Sequence, residues 1–324
     1  MSTLKNYLSL VKFSHTIFAM PFALIGFFLA SGSWIKSLYL SYSDASRYEW
    51  FAFEQSGSSE ARAAFADMMA HPVRFFVVKF GLVILCMVFA RSAAMAFNRY
   101  LDRKWDALNP RTAIREIPKG IITPKNALAF TIACCVLFIV CTAFINRICF
   151  FLSPVALAVV LGYSYTKRFT PFCHLVLGLG LSLAPIGAWL AVTGYFHWLP
   201  LLFSFAVLFW VSGFDIIYAM QDVDFDQSQQ LYSIPAAVGK EKALRISELL
   251  HLLSAACVAA AGRFGHFGWL YWIGVLVFGG MLVYQHAIVK PNDLRRVNIA
   301  FMTANGIASV VFAVFVIADL FLNQ

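Results

Sequence analysis

The apolar run FFVVKFGLVILCMVFARSAAMAF, Phe75 to Phe97, leads directly into the polar stretch Asn98-Arg99-Tyr100-Leu101-Asp102-Arg103-Lys104-Trp105-Asp106. A run of about twenty apolar residues is long enough to cross a bilayer as a helix. Asp102 and Asp106 are four apart, so a continued helix points both carboxylates the same way, with Asn98 one turn earlier. Two acids among cations at the mouth of a membrane helix are costly unless something needs them there. A divalent cation holding a diphosphate would, because Mg²⁺ prefers hard oxygen ligands and shares them with substrate phosphates.

Outward from this junction the pattern repeats. Of the 324 residues 61% are hydrophobic and only 13% charged, about half the charged share of a soluble domain. The chain reads as all-α and multi-pass, with about nine transmembrane helices in one bundle around a central cavity. The expected spans are 14–34, 75–97, 127–145, 148–165, 174–192, 199–220, 246–261, 268–289 and 297–322. The first lacks a small-residue cleavage pattern and is read as a retained span. Residues 1–324 form a single membrane domain, and the mixed-charge loop 36–73 is an extracytoplasmic insertion, with an amphipathic interfacial helix expected near Glu60 to Met69.

The formal charge of +9 does not point to nucleic acid. Lys and Arg concentrate in the loops after the even-numbered spans, as the positive-inside rule requires of cytoplasmic loops. The expected location is the inner (cytoplasmic) membrane, with both acidic segments facing the cytoplasm. Seven cysteines lie in or beside apolar segments, without zinc or disulfide spacing, and read as packing residues.

A second acidic segment lies more than a hundred residues downstream. Asp215, Tyr218, Asp222 and Asp226 fall at offsets 0, 3, 7 and 11, one face of a helix. Together with Asp224, these acids would repel one another unless cations intervened. Complementary groups are in place: Tyr163 and Lys167 four apart at the end of the fourth span, and Arg91 two turns inward from Asn98. Each cation alone could snorkel to the interface; with the two acidic segments they form the parts of a metal-diphosphate cradle.

Asn98-x3-Asp102-x3-Asp106, Arg111-Thr112, Arg115-Glu-Ile-Pro118-x-Gly120 and Asp215-x2-Tyr218-Ala-x-Gln-Asp222-x3-Asp226 together resemble the UbiA-type intramembrane aromatic prenyltransferases. Lys12-Phe-Ser-His15-Thr-x-Phe18-Ala-x-Pro21-Phe is similar to that family's opening, and Tyr163-Ser-Tyr-Thr-Lys167-Arg168 to its fourth-span ending. The resemblance implies Mg²⁺-dependent transfer of a polyprenyl group from a polyprenyl diphosphate to a small aromatic acid, in ubiquinone or menaquinone biosynthesis. Under it, Asp102, Asp106, Asp222 and Asp226 hold the metal, with Asn98 beside them on the diphosphate. Arg91, Tyr163 and Lys167 help the diphosphate leave, and Asp215 orients the aromatic ring or takes up a proton. Lys12, Arg115, Arg168 and Tyr218 complete the substrate-binding set.

Two features depart from the common pattern. Asn98 is followed by Arg99 where many relatives have Asp, and Leu231-Tyr-Ser-Ile-Pro235 stands where ubiquinone-pathway members tend to have Lys-Ser. With Asp106-Ala-Leu-Asn-Pro110-Arg-Thr and Gly213-Phe-Asp-Ile-Ile-Tyr-Ala, they are closer to the branch serving menaquinone by the futalosine route. The acceptor is then either a 4-hydroxybenzoate-like ring or a 1,4-dihydroxy-6-naphthoate-like one. Two other classes use clustered aspartates, the CDP-alcohol-type lipid phosphotransferases and transporters of cations or lipids. The first is expected to keep its acids in one span-end motif, unlike the split seen here.

Overall fold

The computed structural model describes residues 3–11, 18–40, 62, 66–68 and 70–322. Lys12 and most of the expected interfacial helix near Glu60 to Met69 lie outside the described residues. Among the described residues these α-helices follow in chain order: α1 Thr3–Leu10, α2 Met20–Leu40, α3 Pro72–Leu101, α4 Arg103–Leu108, α5 Pro124–Ile145, α6 Arg147–Thr166 and α7 Cys173–Thr193, then α8 Trp198–Ala219, α9 Val223–Ser228, α10 Ile234–Val238, α11 Lys240–Phe264, α12 Trp269–Ile288 and α13 Asn305–Leu322. Among the described residues eight helical stretches are long and apolar enough to cross a membrane, and α2 adds a shorter apolar one over Met20–Gly32. The expected bundle of about nine is therefore present, and the chain is an integral membrane protein.

Each helix starts and stops where its sequence supplies the missing hydrogen-bond partners. Thr123 caps α5 by accepting from the Asn126 N–H, with Pro124 in the first turn. Asn146 caps α6 through Cys149 N at 2.8 Å, and its amide donates to the Leu190 carbonyl of α7 at 2.8 Å. Gly194, at φ 73°, takes the left-handed conformation that ends α7. The start of α12 is capped from another helix: Asp319 of α13 accepts from Gly268 N at 2.7 Å and Tyr271 N at 3.2 Å.

Helices adjacent in sequence pack side by side around a ring, which closes through α13 on α2 and α2 on α3 and α7. Inside a membrane such contacts depend on close approach and polar ties rather than on hydrophobic burial. Gly26 of α2 rests on the Pro185 carbonyl of α7, and Gly178 of α7 rests on Leu208 and Ser212 of α8; a Cβ at either position would overlap those atoms. The middle of the ring is aromatic: Phe22, Phe203, Trp210, Tyr271, Phe278 and Phe312 are fully buried against one another. One polar node ties this core together. Asn305 accepts from Trp210 Nε1 and Gln285 Nε2, both at 2.8 Å, and donates to the Ala300 and Phe301 carbonyls of the π-helical turn Ile299–Ala304. That turn carries Phe301 toward the site described next.

Candidate active site

A polar cavity of about 270 Å³ opens where the C-terminal ends of α3, α6 and α8 meet the N-terminal end of α7. The two acidic segments approach it from opposite sides, and neither is one continuous helix. α3 stops at Leu101 and α4 restarts at Arg103, while α8 stops at Ala219 and passes through a 3₁₀ turn, Met220–Asp222, before α9. Asn98, Asp102 and Asp106 line one wall and Asp215, Tyr218 and Asp222 the other, with Arg91, Arg115, Tyr163, Lys167 and Arg168 between them. Eleven of the residues singled out in the sequence thus share one cavity. Asp226 lies behind the wall, fully buried, and Asp224 is exposed on the outer side.

Asp102, Asp106, Asp215, Asp222 and Asp226 each meet a cation or a ring nitrogen. Asp102 faces Arg168 at 3.4 Å and accepts from Asn98 at 3.1 Å. Asp106 accepts from Arg115 Nη1 at 2.6 Å. Arg111 grips Asp222 with both ends of its fork, at 3.1 and 2.5 Å, and donates to the Tyr218 hydroxyl at 2.9 Å. Asp226 pairs with Lys167 at 2.7 Å and accepts from Ser233 at 3.0 Å. Lys167 also lies within charge-interaction range of Asp102 and Asp222, so one ammonium addresses both acidic segments. Burial opposes its charge, but Asp226 outweighs that and holds its pKa above the ordinary 10.5. The same balance raises Arg111: burial acts against the cation, and the hydrogen bond and charge of Asp222 more than compensate.

The segment 109–123 delivers Arg111 and Arg115 by folding back over the mouth. Ile117 and Ile122 anchor it in a cluster with Leu10, Ala96 and Ala127. Glu116 fixes it further, accepting from Ser9 Oγ at 2.5 Å and facing Arg99 at 3.6 Å. Arg99, buried at 2% exposure, is thus an anchor for the loop rather than a lost acid. Deeper in, the wall becomes apolar: Met95, Leu177, Leu181 and Val211, with Phe18, Phe214 and Phe301 in mutual ring contact at 5.3 to 5.5 Å.

Three participants carry no assigned role in the sequence reading. Arg111 and Asn109 both bond Asp222, the latter at 3.3 Å; they stand in the Asn109-Pro-Arg-Thr stretch noted above only as a likeness. His174, at the entry of α7, bonds Asp215 through Nδ1 at 2.7 Å. No spacing rule connects a histidine to an acid 41 residues away.

The oxygens of Asn98, Asp102, Asp106 and Asp222 form the donor set a hard divalent cation favours. Asp106 Oδ2 is buried and has no hydrogen-bond partner among the described residues, so it fits that set. Also among the described residues, no three Asp, Glu, His or Cys side chains converge as a complete ligand group. A metal here would take the rest of its shell from phosphate and water, as Mg²⁺ does.

Facing acidic segments above an apolar wall, in a helical membrane bundle, are the frame of an intramembrane enzyme site. The model of the UbiA prenyltransferase family matches residues 62–307, and the chain belongs to that family. It is an enzyme of the prenyl-transferring class. It is similar to the 4-hydroxybenzoate octaprenyltransferase of Saccharophagus degradans, 30% identical over 75% of this chain and 81% of that one. A protein of the same name from Citrobacter koseri is 31% identical over 68% and 76%. Among solved structures, the UbiA homologue from Aeropyrum pernix K1 in its apo form superposes with a TM-score of 0.71 at 25% identity, covering 95% of this chain and 98% of that one. The Archaeoglobus fulgidus homologue bound to DMAPP and Mg²⁺ shares the fold, with a TM-score of 0.66 at 18% identity over 98% and 99%.

Proposed function

We propose that the protein transfers a polyprenyl group from polyprenyl diphosphate to a small aromatic acid, with Mg²⁺, and releases diphosphate. The acceptor is a 4-hydroxybenzoate-like or 1,4-dihydroxy-6-naphthoate-like ring of ubiquinone or menaquinone biosynthesis. The observation that carries this reading is the convergence of Asp102, Asp106 and Asp222 on one cavity, with Lys167 between them and an apolar wall beneath. The names of the Saccharophagus and Citrobacter relatives support the aromatic acceptor, and the ligands of the Archaeoglobus structure support prenyl diphosphate and Mg²⁺.

Without substrate, the acids and cations neutralise one another in pairs. In the bound state Asp102, Asp106 and Asp222 would hold the metal, and Arg111, Arg168 and Lys167 would face the phosphate oxygens. When bound, Mg²⁺ neutralises phosphate oxygens as the carbon–oxygen bond to the allylic carbon breaks. Arg91, two turns into the membrane, and Lys167 stabilise the charge that grows on the leaving diphosphate, with the Tyr163 hydroxyl beside them. Met95, Leu177, Leu181 and the three Phe rings exclude water from the allylic cation and offer it π faces. The acceptor ring then attacks that carbon near Asp215, and loss of the ring proton restores aromaticity. The Lys- and Arg-rich loops around the cavity support a cytoplasm-facing site in the inner membrane.

The test is incubation of purified protein with a polyprenyl diphosphate and each aromatic acid, with Mg²⁺ or with EDTA. Diphosphate and prenylated acid are expected in equal amounts, with the rate falling about 100-fold or more when the metal is removed. Diphosphate release with none of the acceptors, or CMP release from a CDP-alcohol, would overturn the reading.

A further inference from the structure

Asp215 is a carboxylate within the apolar stretch of α8, where an unpartnered charge is expensive. Its partner comes from the neighbouring helix. Gly178 allows α7 to lie directly on Leu208 and Ser212 of α8, and Ser212 Oγ bonds the His174 carbonyl at 3.2 Å. One turn from each of those contacts, His174 Nδ1 meets Asp215 Oδ2 at 2.7 Å. Both line the cavity, but the imidazole is 3% exposed and the carboxylate 23%, so the acid is the member of the pair that the cavity reaches.

The other ring nitrogen is held too. The Ile234 N–H, at the start of α10, points at His174 Nε2 at 3.4 Å. A backbone N–H can only donate, so in the tautomer that lets Nε2 accept it the ring proton is on Nδ1, where it donates to Asp215. The same short strap fixes its neighbours: Tyr232 N–H donates to the Lys167 carbonyl at 2.7 Å, and Ser233 Oγ donates to Asp226.

We propose that His174 is a positioning residue for the reaction, acting only through Asp215. Resting on the reading above, it takes up Oδ2 and so presents Oδ1 to the hydroxyl of the aromatic acceptor. The acceptor O–H donates to Oδ1, which raises the electron density of the ring as the ring carbon bonds to the allylic carbon. The electron pair of the broken carbon–oxygen bond leaves with the diphosphate, and the proton lost from the attacked ring carbon passes to a diphosphate oxygen. His174 exchanges no proton with substrate. Its loss therefore weakens recognition of the acceptor and leaves that of the polyprenyl diphosphate unchanged.

Two amide substitutions of similar size separate this role from packing. In His174→Asn the amide nitrogen stands close to the place of Nδ1 and keeps the donation to Asp215. In His174→Gln the amide reaches the place of Nε2 and keeps only the Ile234 contact. Kinetics at equal folded concentration are expected to show kcat/KM for the aromatic acid down about 10- to 100-fold in His174→Gln and within about 3-fold of wild type in His174→Asn, as for loss or retention of one hydrogen bond to a charged group. KM for the polyprenyl diphosphate stays within about 2-fold in both. A double-mutant cycle is the second measurement: His174→Ala added to Asp215→Ala should cost nothing further. Equal losses in the two amide variants, a matching loss in diphosphate KM, additive alanine effects, or failure of both amide variants to fold would each overturn the proposal. Wild-type protein inactive on every aromatic acid would instead sink the proposed function itself, so the two failures are distinguishable.

Discussion

Asp102 and Asp226 occupy opposite ends of two similar motifs, Asp102-x3-Asp106 and Asp222-x3-Asp226, and the fold treats them differently. Asp102 and its partner Arg168 are each 28% exposed, whereas Asp226 is fully buried with Lys167 and Ser233 on its oxygens. An ion pair that water reaches contributes about 0–1 kcal/mol. Removing a buried acceptor and stranding its donors costs about 1–3 kcal/mol. Asp102→Ala is therefore expected to keep the thermal unfolding midpoint in detergent close to that of wild type, while diphosphate release falls about 100-fold or more. Asp226→Ala should lower the midpoint as well as the rate, and equal midpoints in the two variants would show that burial of Asp226 carries no stability. Sequence spacing placed both acids in one group because it sees only which face a residue occupies. It does not see that Lys167, from another helix, reaches past the cavity wall to draw Asp226 behind it.

At the scale of elements, the spans were legible because an apolar run has to be helical in a bilayer. The run at 127–145 became Pro124–Ile145 and that at 174–192 became Cys173–Thr193. The breaks inside the acidic segments were not legible. A continuous helix was the basis for grouping Asp215, Tyr218, Asp222 and Asp226, yet the chain turns 3₁₀ at Met220–Asp222 and restarts at Val223. The first three still line the cavity, because the break falls at the end of that face. Contacts between helices were equally hidden, since a glycine in an apolar run gives no sign of what lies against it. Gly26 and Gly187 look equivalent in sequence, but a Cβ at Gly26 would overlap the Pro185 carbonyl and one at Gly187 would meet nothing within 4 Å. Gly26→Ala is expected to push α2 from α7 and cost about 1–3 kcal/mol. Gly187→Ala should be neutral, or stabilising by about 0.5–1 kcal/mol, because alanine is the better helix former. Unfolding midpoints of the pair check this, and a neutral Gly26→Ala would mean that the two helices do not meet as closely as described.

The whole molecule adds a constraint that no single helix carries. Because the ring of helices alternates direction, the C-terminal ends of α3, α6 and α8 and the N-terminal end of α7 must share one membrane face, which is where the cavity opens. The segments on that face hold Arg103, Lys104, Arg111, Arg115, Lys119, Lys125, Lys167, Arg168, Lys240, Lys242, Arg245, Lys290, Arg295 and Arg296, whereas Arg62, Arg74, Lys79, Arg147 and Arg263 lie toward the other. Under the positive-inside rule this charge bias predicts that the site faces the cytoplasm. Two exposed loop positions test this: Ile114, 67% exposed in the segment over the cavity mouth, and Phe196, 58% exposed in the turn between α7 and α8. Replacing the seven native cysteines gives a clean background. In that background Phe196→Cys should react with a membrane-impermeant maleimide in intact cells freed of any outer wall. Ile114→Cys should react only once the membrane is opened. The reverse pattern would place the cavity on the outer face, away from cytoplasmic diphosphate, and the charge argument would fail with it. Labelling of both positions in intact cells would be worse for the fold, because it would contradict the alternation that brings Asp102 and Asp222 to the same cavity.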